Sequence, residues 1–343
     1  MKKNWKKYKI KNIFNITRGN VLSTKELMEY NDNLYPVYSS QTKNNGLLGY
    51  YDKFLFENSI TWTTDGANAG DVHYRDNKFY CTNVCGVLTE KTMKPNLCIA
   101  LAIGNLAKRY VSYVGNPKLM NNVMSEIEIS LPSVEEQEKI GSFFKELDEL
   151  IDLYADYKSL MIDKIKYTMS NVKPSTDKKC KVSELYDITR GYYIPKDSLS
   201  MHGAYPVYSS QTKNKGIMGY SSKYLFEDCM IWSTDGYAGE VRYVPGKFNC
   251  TNVCGVMINN EGYCNSFVAY YLNKLFKKYV SNSGIPKLMN NVVQNIPIEL
   301  PTLDEQYELS NFIDEAAKLI DFIDELMIGL IRKKKYYLNK IFN

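Results

Sequence analysis

Two six-residue polar stretches in this chain are identical: Ser39, Ser40, Gln41, Thr42, Lys43 and Asn44, and again Ser209, Ser210, Gln211, Thr212, Lys213 and Asn214. Each lies between an apolar strand-like run and a glycine turn, so its side chains stand on a loop fixed at both ends. Gln and Asn amides match adenine bidentately in the major groove, Lys matches guanine, and hydroxyls suit phosphate. A second shared cluster comprises Lys118, Asn121 and Asn122, with Lys287, Asn290 and Asn291 as its copy, in NPKLMNNV and IPKLMNNV. Both clusters carry the chemistry of DNA contact. The alternative is a polar loop closed by its own side-chain-to-backbone hydrogen bonds.

Catalytic chemistry is sparse by comparison. The two histidines, His73 and His202, do not repeat, and His73 aligns with Arg242. A duplicated enzyme would duplicate its acid–base group, so a His-based triad or a HExxH site is not expected. Neither a GxGxxG loop after a strand nor a GxxxxGK[ST] loop occurs. Asp65 and Asp235 sit alike in TWTTDG and IWSTDG, but one carboxylate before a glycine is ordinarily a turn. Cys81 and Cys85, with Cys250 and Cys254, place two sulfurs on one face of a strand-like run. Zinc needs four ligands, and buried core thiols are the expected fate. No catalytic residue and no metal site are therefore assigned.

The elements that must position these loops also come twice. YPVYSSQTKNNGLLGY (35–50) returns as YPVYSSQTKNKGIMGY (205–220), and KFYCTNVCGV (78–87) as KFNCTNVCGV (247–256). The offset is 170 residues at first (Tyr35 to Tyr205) and 169 later (Lys78 to Lys247), because TTDGANAG loses one residue in STDGYAG. Such a period is the size of a domain, not of a solenoid repeat. Two copies of one domain imply two copies of one task on a ligand with two similar parts. At 343 residues, 44% hydrophobic and net +5, the chain can build two cores and tolerate a polyanion. No apolar run spans a bilayer, and MKKNWKKYKI is not followed by a signal-like segment. The eight cysteines are then expected as reduced thiols in a cytoplasmic protein.

Within each copy, short Tyr-, Val-, Ile- and Thr-rich strands precede a helical stretch, near 95–113 and 264–282. After EISLP and IELP the pattern changes to a long helix. Ser133 and Thr302 begin capping boxes with Glu136 and Glu305 three residues on. Ile140, Phe143, Leu147, Leu150, Tyr154, Tyr157 and Met161 form a seam of three- and four-residue steps. Leu309, Phe312, Ala316, Leu319, Ile323, Leu326 and Leu330 form another. Pro174 is the expected stop of the first helix. Acidic residues crowd the start of the first helix (Glu135 to Glu149) and basic ones the end of the second (Arg332 to Lys340). An antiparallel pair would set them side by side; alternatively each helix caps its own globule. The expected fold is α+β: two similar globular domains of short mixed strands and helices, with two long antiparallel coiled-coil helices and a pseudo-twofold. The expected spans are 1–132, a helix at 133–173, 174–301, and a helix at 302–343.

The two ITRG starts, the TDG…AG…V units (65–72 and 235–241), and above all the paired helix starts LPSVEEQEKI (131–140) and LPTLDEQYEL (300–309) carry a likeness over nearly the whole length. The chain resembles the DNA specificity (S) subunit of Type I restriction-modification enzymes. That resemblance implies two target recognition domains, each binding half of a split sequence in double-stranded DNA. It implies long helices that dock two modification (methyltransferase) subunits, with restriction (endonuclease/translocase) subunits completing the enzyme. S-adenosylmethionine, ATP and Mg would be bound by those partners, and the chain itself would be neither a catalyst nor a membrane protein. The chain departs from the family in being short and in having alike reading loops where recognition domains usually diverge, so the expected target is close to palindromic. A stand-alone DNA-binding regulator, or a Tyr-rich structural or carbohydrate-binding protein, remains the alternative from residues alone.

Overall fold

The structure, a computed structural model, describes residues 4–41, 44–172 and 178–343. Its contacts divide the chain into two units, residues 1–155 with 325–343, and residues 156–324.

In the first unit, β1 (Lys6–Lys9), the one-turn α1 (Ile10–Ile13) and β2 (Phe14–Arg18) lead into β3 (Tyr35–Tyr38), β4 (Leu47–Tyr51), β5 (Phe56–Thr63), β6 (Val72–Cys81) and β7 (Cys85–Glu90). Then come α2 (Leu97–Ala107), α3 (Asn121–Glu126) and β8 (Glu128–Leu131). The main sheet has the order β2-β7-β5-β6-β3-β4, and β1 pairs with β8 in a separate ribbon. Among the described strands of this unit, β3 and β6 alone pair in parallel. Strand β5 shows why the sequence builds this layer. Ile60 and Trp62 alternate toward α2 and the main core, with Phe14, Leu88, Ile99 and Ile103. Ser59, Thr61 and Thr63 point to the opposite face, on the side of the polar loop.

The second unit repeats this order. β9 (Lys178–Lys181) is followed by β10 (Asp187–Arg190), β11 (Tyr205–Tyr208), β12 (Ile217–Ser221), β13 (Phe226–Ser233), β14 (Val241–Cys250) and β15 (Cys254–Ile258). Its helices are the one-turn α5 (Val182–Leu185), α6 (Ser266–Phe276) and α7 (Asn290–Val293), and β16 (Pro297–Leu300) pairs with β9. The sheet order, β10-β15-β13-β14-β11-β12, is that of the first unit. One face of it differs in chemistry. Ser59, Thr61 and Arg75 of the first copy are replaced by Cys229, Ile231 and Val244, which join an apolar cluster with Phe226 and Phe248.

The long helices are α4 (Val134–Asn171) and α8 (Leu303–Phe342), of 38 and 40 residues. Pro174, the expected stop of α4, lies outside the described residues. The repeated LP…EQ start has a structural cause. Gln137 is buried and bridges its own Pro132 carbonyl (3.0 Å) to Asn96, the N-cap of α2 (2.9 Å). Gln306 does the same with Pro301 (2.8 Å) and Asn265 (3.0 Å). Buried amides of this kind must be satisfied, and each Gln closes the gap between a helix start and a helix cap.

In the first unit the two helix stretches run antiparallel. Phe143 meets Tyr337 edge-on at 5.3 Å, and Lys334 pairs with Asp148. The second unit holds Lys158 to Asp324 at 2.6 Å and Lys164 over the Phe312 ring. Capping and pairing therefore coexist: Phe342 packs on Trp5 in the first unit, while Met169 and Val172 pack on the core of the second. The α4 seam differs from expectation at alternate positions. Phe143, Leu150 and Tyr157 are 41%, 38% and 45% exposed, whereas Phe144 is buried and Ile151 and Lys158 are half-buried. Two apolar stripes lie side by side on this helix, and the burial follows the one that contains Phe144.

Candidate nucleic-acid interface

The polar loop of the first copy leaves β3 and returns through a left-handed turn, Asn44, Asn45 and Gly46, with φ of 50°, 50° and 85°. Asn214, Lys215 and Gly216 repeat it at 50°, 51° and 87°. Three successive left-handed residues are costly for side chains other than Asn and Gly, so the surroundings must hold the turn. Ser39 N–H donates to the Gly46 carbonyl at 2.8 Å, and Ser209 N–H to that of Gly216 at 2.9 Å.

The remaining support differs between copies. In the first, Arg75 is 9% exposed; its guanidinium donates to the Asn45 carbonyl (2.6 Å) and Thr61 Oγ1 (3.2 Å) and lies 3.6 Å above the Tyr38 ring. Burial is the largest cause lowering its pKa, and the neighbouring Tyr38 and Cys85 act in the opposite direction. In the second copy the guanidinium comes from two positions earlier: Arg242 donates to the Lys215 carbonyl. His73 occupies the Arg242 position in the first copy, and burial together with the Arg75 charge lowers its pKa to about 4, so it is neutral.

Of the residues expected to touch DNA, Ser39, Ser40, Gln41, Ser209, Ser210 and Gln211 are half-buried, while Asn44, Thr212, Lys213 and Asn214 are exposed. Thr42 and Lys43 lie outside the described residues. The Gln41 amide donates to the Leu47 carbonyl, and Gln211 to that of Ile217 at 2.6 Å. Each glutamine thus also closes its own loop.

The second cluster sits on a framed turn. Backbone bonds join Ser112 and Lys118 in both directions, and Gly66 N–H donates to the Pro117 carbonyl at 3.0 Å. Trp62 Nε1 donates to the Leu119 carbonyl at 2.9 Å from beneath. Lys118 pairs with Asp65 at 3.7 Å, and Lys287 with Asp235 at 3.9 Å. Asn121 starts α3 and accepts from Arg18 Nε at 3.0 Å. In the second copy Arg190 Nε and Asn290 Oδ1 are buried without a partner. Asn122 and Asn291 are exposed. In the first unit the TDGANAG turn joins the two clusters, since Asn68 Nδ2 reaches the Ser40 carbonyl at 3.5 Å while Gly66 holds Pro117.

The cysteine pairs do not share a strand. Cys81 ends β6 and Cys85 begins β7, around a tight turn, and both are buried. Burial pushes the Cys85 thiol up to about 11. No cluster able to hold a metal ion occurs among the described residues. Among the same residues no helix is long and apolar enough to cross a membrane.

Residues 2–159 and 174–330 each match the family model of the Type I restriction modification DNA specificity domain. The chain belongs to this family. It is 31% identical over 324 residues to a putative type I specificity subunit of Mycoplasma pneumoniae, covering 90% of this chain and 88% of that one. The MpnII specificity subunit of the same organism is 34% identical over 170 residues, 47% of this chain and 52% of the relative. Among solved structures, the Type I restriction-modification S subunit from M. genitalium has the same fold, with a TM-score of 0.76 at 20% identity, covering 99% and 96% of the two chains.

A specificity subunit confers DNA sequence recognition and leaves catalysis to other subunits. Sequence reasoning gave no supporting role to Arg18, Arg75 or Arg242, and it read Asp65 as a turn residue without its lysine partner. Arg18 was visible in the repeated ITRG, and Asp65 in the repeated TDG. Arg75 and Arg242 carried no repeat signal, because each supports its loop from a different strand position.

Proposed function

We propose that each unit reads one half of a bipartite, near-palindromic DNA site. The contacts lie at Ser39–Asn44 with Lys118, Asn121 and Asn122, and at Ser209–Asn214 with Lys287, Asn290 and Asn291. The observation that carries this reading is the presence, in both units, of the same left-handed loop and the same framed lysine turn, six loop residues being identical. The long helices dock two modification subunits and, through the assembled enzyme, restriction subunits. Leu153, Leu160 and Tyr167 support this, standing exposed at seven-residue intervals on α4. S-adenosylmethionine, ATP and Mg belong to those partners, and the assembly works in the cytoplasm.

The test is selection of bound or methylated sites from random duplex DNA by the full complex, for parent, Gln41→Ala and Gln211→Ala. Each substitution is expected to relax base choice in one half-site, at about 1–3 kcal/mol. Equal weakening on all sequences would assign the glutamine to loop closure alone. Two unrelated half-sites in the parent would defeat the near-palindrome.

A further inference from the structure

The framed turns at 111–119 and 280–288 share a scaffold and differ at their tips. In the second copy Ser281 and Lys287 bond in both directions, at 2.9 and 3.0 Å, as Ser112 and Lys118 do at 2.9 Å. Gly236 N–H donates to Pro286 at 3.1 Å, and Leu288 N–H to Thr234 at 2.9 Å, the latter equal to Leu119 to Thr64. Trp232 Nε1 holds the Leu288 carbonyl at 3.0 Å. Gly115 and Gly284 both take positive φ, 76° and 90°, at the crest.

Around that glycine the side chains change places. The first copy has Tyr113 and Val114 before it and Asn116 after it; the second has Asn282 and Ser283 before it and Ile285 after it. Val114 is 92% exposed and Tyr113 69%. All six residues are exposed, Ser283 meeting the exposed Ser281 hydroxyl at 3.2 Å, so burial does not fix their identity. An amide suits adenine, and an aliphatic side chain suits the thymine methyl. Exchanging the two across a fixed crest exchanges what each turn can recognise.

We propose that these tips are specificity-determining elements and that they make the two half-sites differ where the shared loops make them alike. This rests on the bipartite reading above and refines it: the target departs from a palindrome at the one or two adjacent base pairs that face the crests. The lysines at the turn bases, Lys118 and Lys287, engage the backbone without choosing sequence.

The experiment transplants one tip onto the other frame. Full-length Y113N/V114S/N116I, assembled with its modification subunits, is offered a randomised duplex library, and the bound fraction is sequenced beside that of the parent. The parent is expected to show half-sites differing at one or two adjacent pairs. The variant's first half-site should take on the second's bases there, with about a tenfold or greater change in preference and no change elsewhere. The reciprocal exchange, N282Y/S283V/I285N, should move the second half-site toward the first. An unchanged motif in a folded variant, or fully identical half-sites in the parent, overturns the proposal while leaving bipartite reading intact. A parent library with no bipartite motif overturns both, and is recognised before any variant is made.

Discussion

Replacing Arg75 by valine, the residue that the second copy carries at that place, isolates what holds the first polar loop. The substitution removes a charge-assisted hydrogen bond to Asn45, another to Thr61 and a cation–π contact with Tyr38. The first is worth about 1.5–3 kcal/mol, and a desolvated cation–π contact about 2 kcal/mol. Against this, the variant no longer keeps a buried guanidinium out of water, which offsets part of the loss. The net expectation is about 2 kcal/mol, or about 30-fold in the local opening equilibrium of the loop. Hydrogen exchange of the Ser39 amide reports that opening directly, because it is bonded to Gly46 across the loop. The Ser209 amide, bonded to Gly216, serves as the control in the same molecule. T61I/H73R/R75V then installs three of the four residues that differ beneath the second loop, with an arginine at the Arg242 position beside an apolar Ile and Val, and should recover most of the protection. Equal loss at Ser209, unchanged exchange at Ser39, or no recovery in the triple variant would refute the reasoning.

Three further outcomes follow from particular contacts. Gly86→Ala would place a Cβ 2.1 Å from the Trp62 ring, and Gly255→Ala one equally close to Trp232; each should destabilise its own unit by about 3 kcal/mol, read by unit-resolved hydrogen exchange, and a loss below about 1 kcal/mol would contradict the packing. His73, held neutral with a pKa of about 4, is not protonated in the folded unit while the unfolded chain takes up a proton below pH 6.5. Stability is therefore lost as pH falls from 6.5 toward 4, by about 1–2 kcal/mol after allowance for its partial exposure; His73→Gln should flatten this fall in urea melts, and parallel curves would argue against it. Asp65→Asn frees Lys118 and removes a negative charge, so DNA affinity should rise on all sequences with a steeper salt dependence, and a change confined to one sequence would show that Asp65 itself reads a base.

The duplication, the strand-rich copies, the capped starts of both long helices and their antiparallel pairing were legible because each has a local signature. Ser133 and Thr302 lie one residue before their helices, where a hydroxyl satisfies a free N–H. The α4 seam was half legible. Ile140, Leu147, Tyr154 and Met161 belong to both possible stripes, but choosing Phe144 over Phe143 depends on what packs against the helix. Arg75 was illegible for the same reason, since its value comes from Asn45, which is 30 residues away in sequence.

That contrast bears on how the two copies carry their task. The loop residues are the same in both, yet the sheet face beneath changes as a set: Ser59, Thr61, His73 and Arg75 against Cys229, Ile231, Arg242 and Val244. A guanidinium reaches the crest carbonyl of the left-handed turn in both, from a polar face in one and past an apolar face in the other. Drift would scatter such changes, whereas here the arginine lost at the Arg75 position is replaced by one at the His73 position and the supported carbonyl is retained. The constraint therefore acts on the shape of the loop more strongly than on any one supporting residue. If the two loops read alike half-sites as proposed, that shape must be preserved twice, while the exposed tips are free of the same constraint.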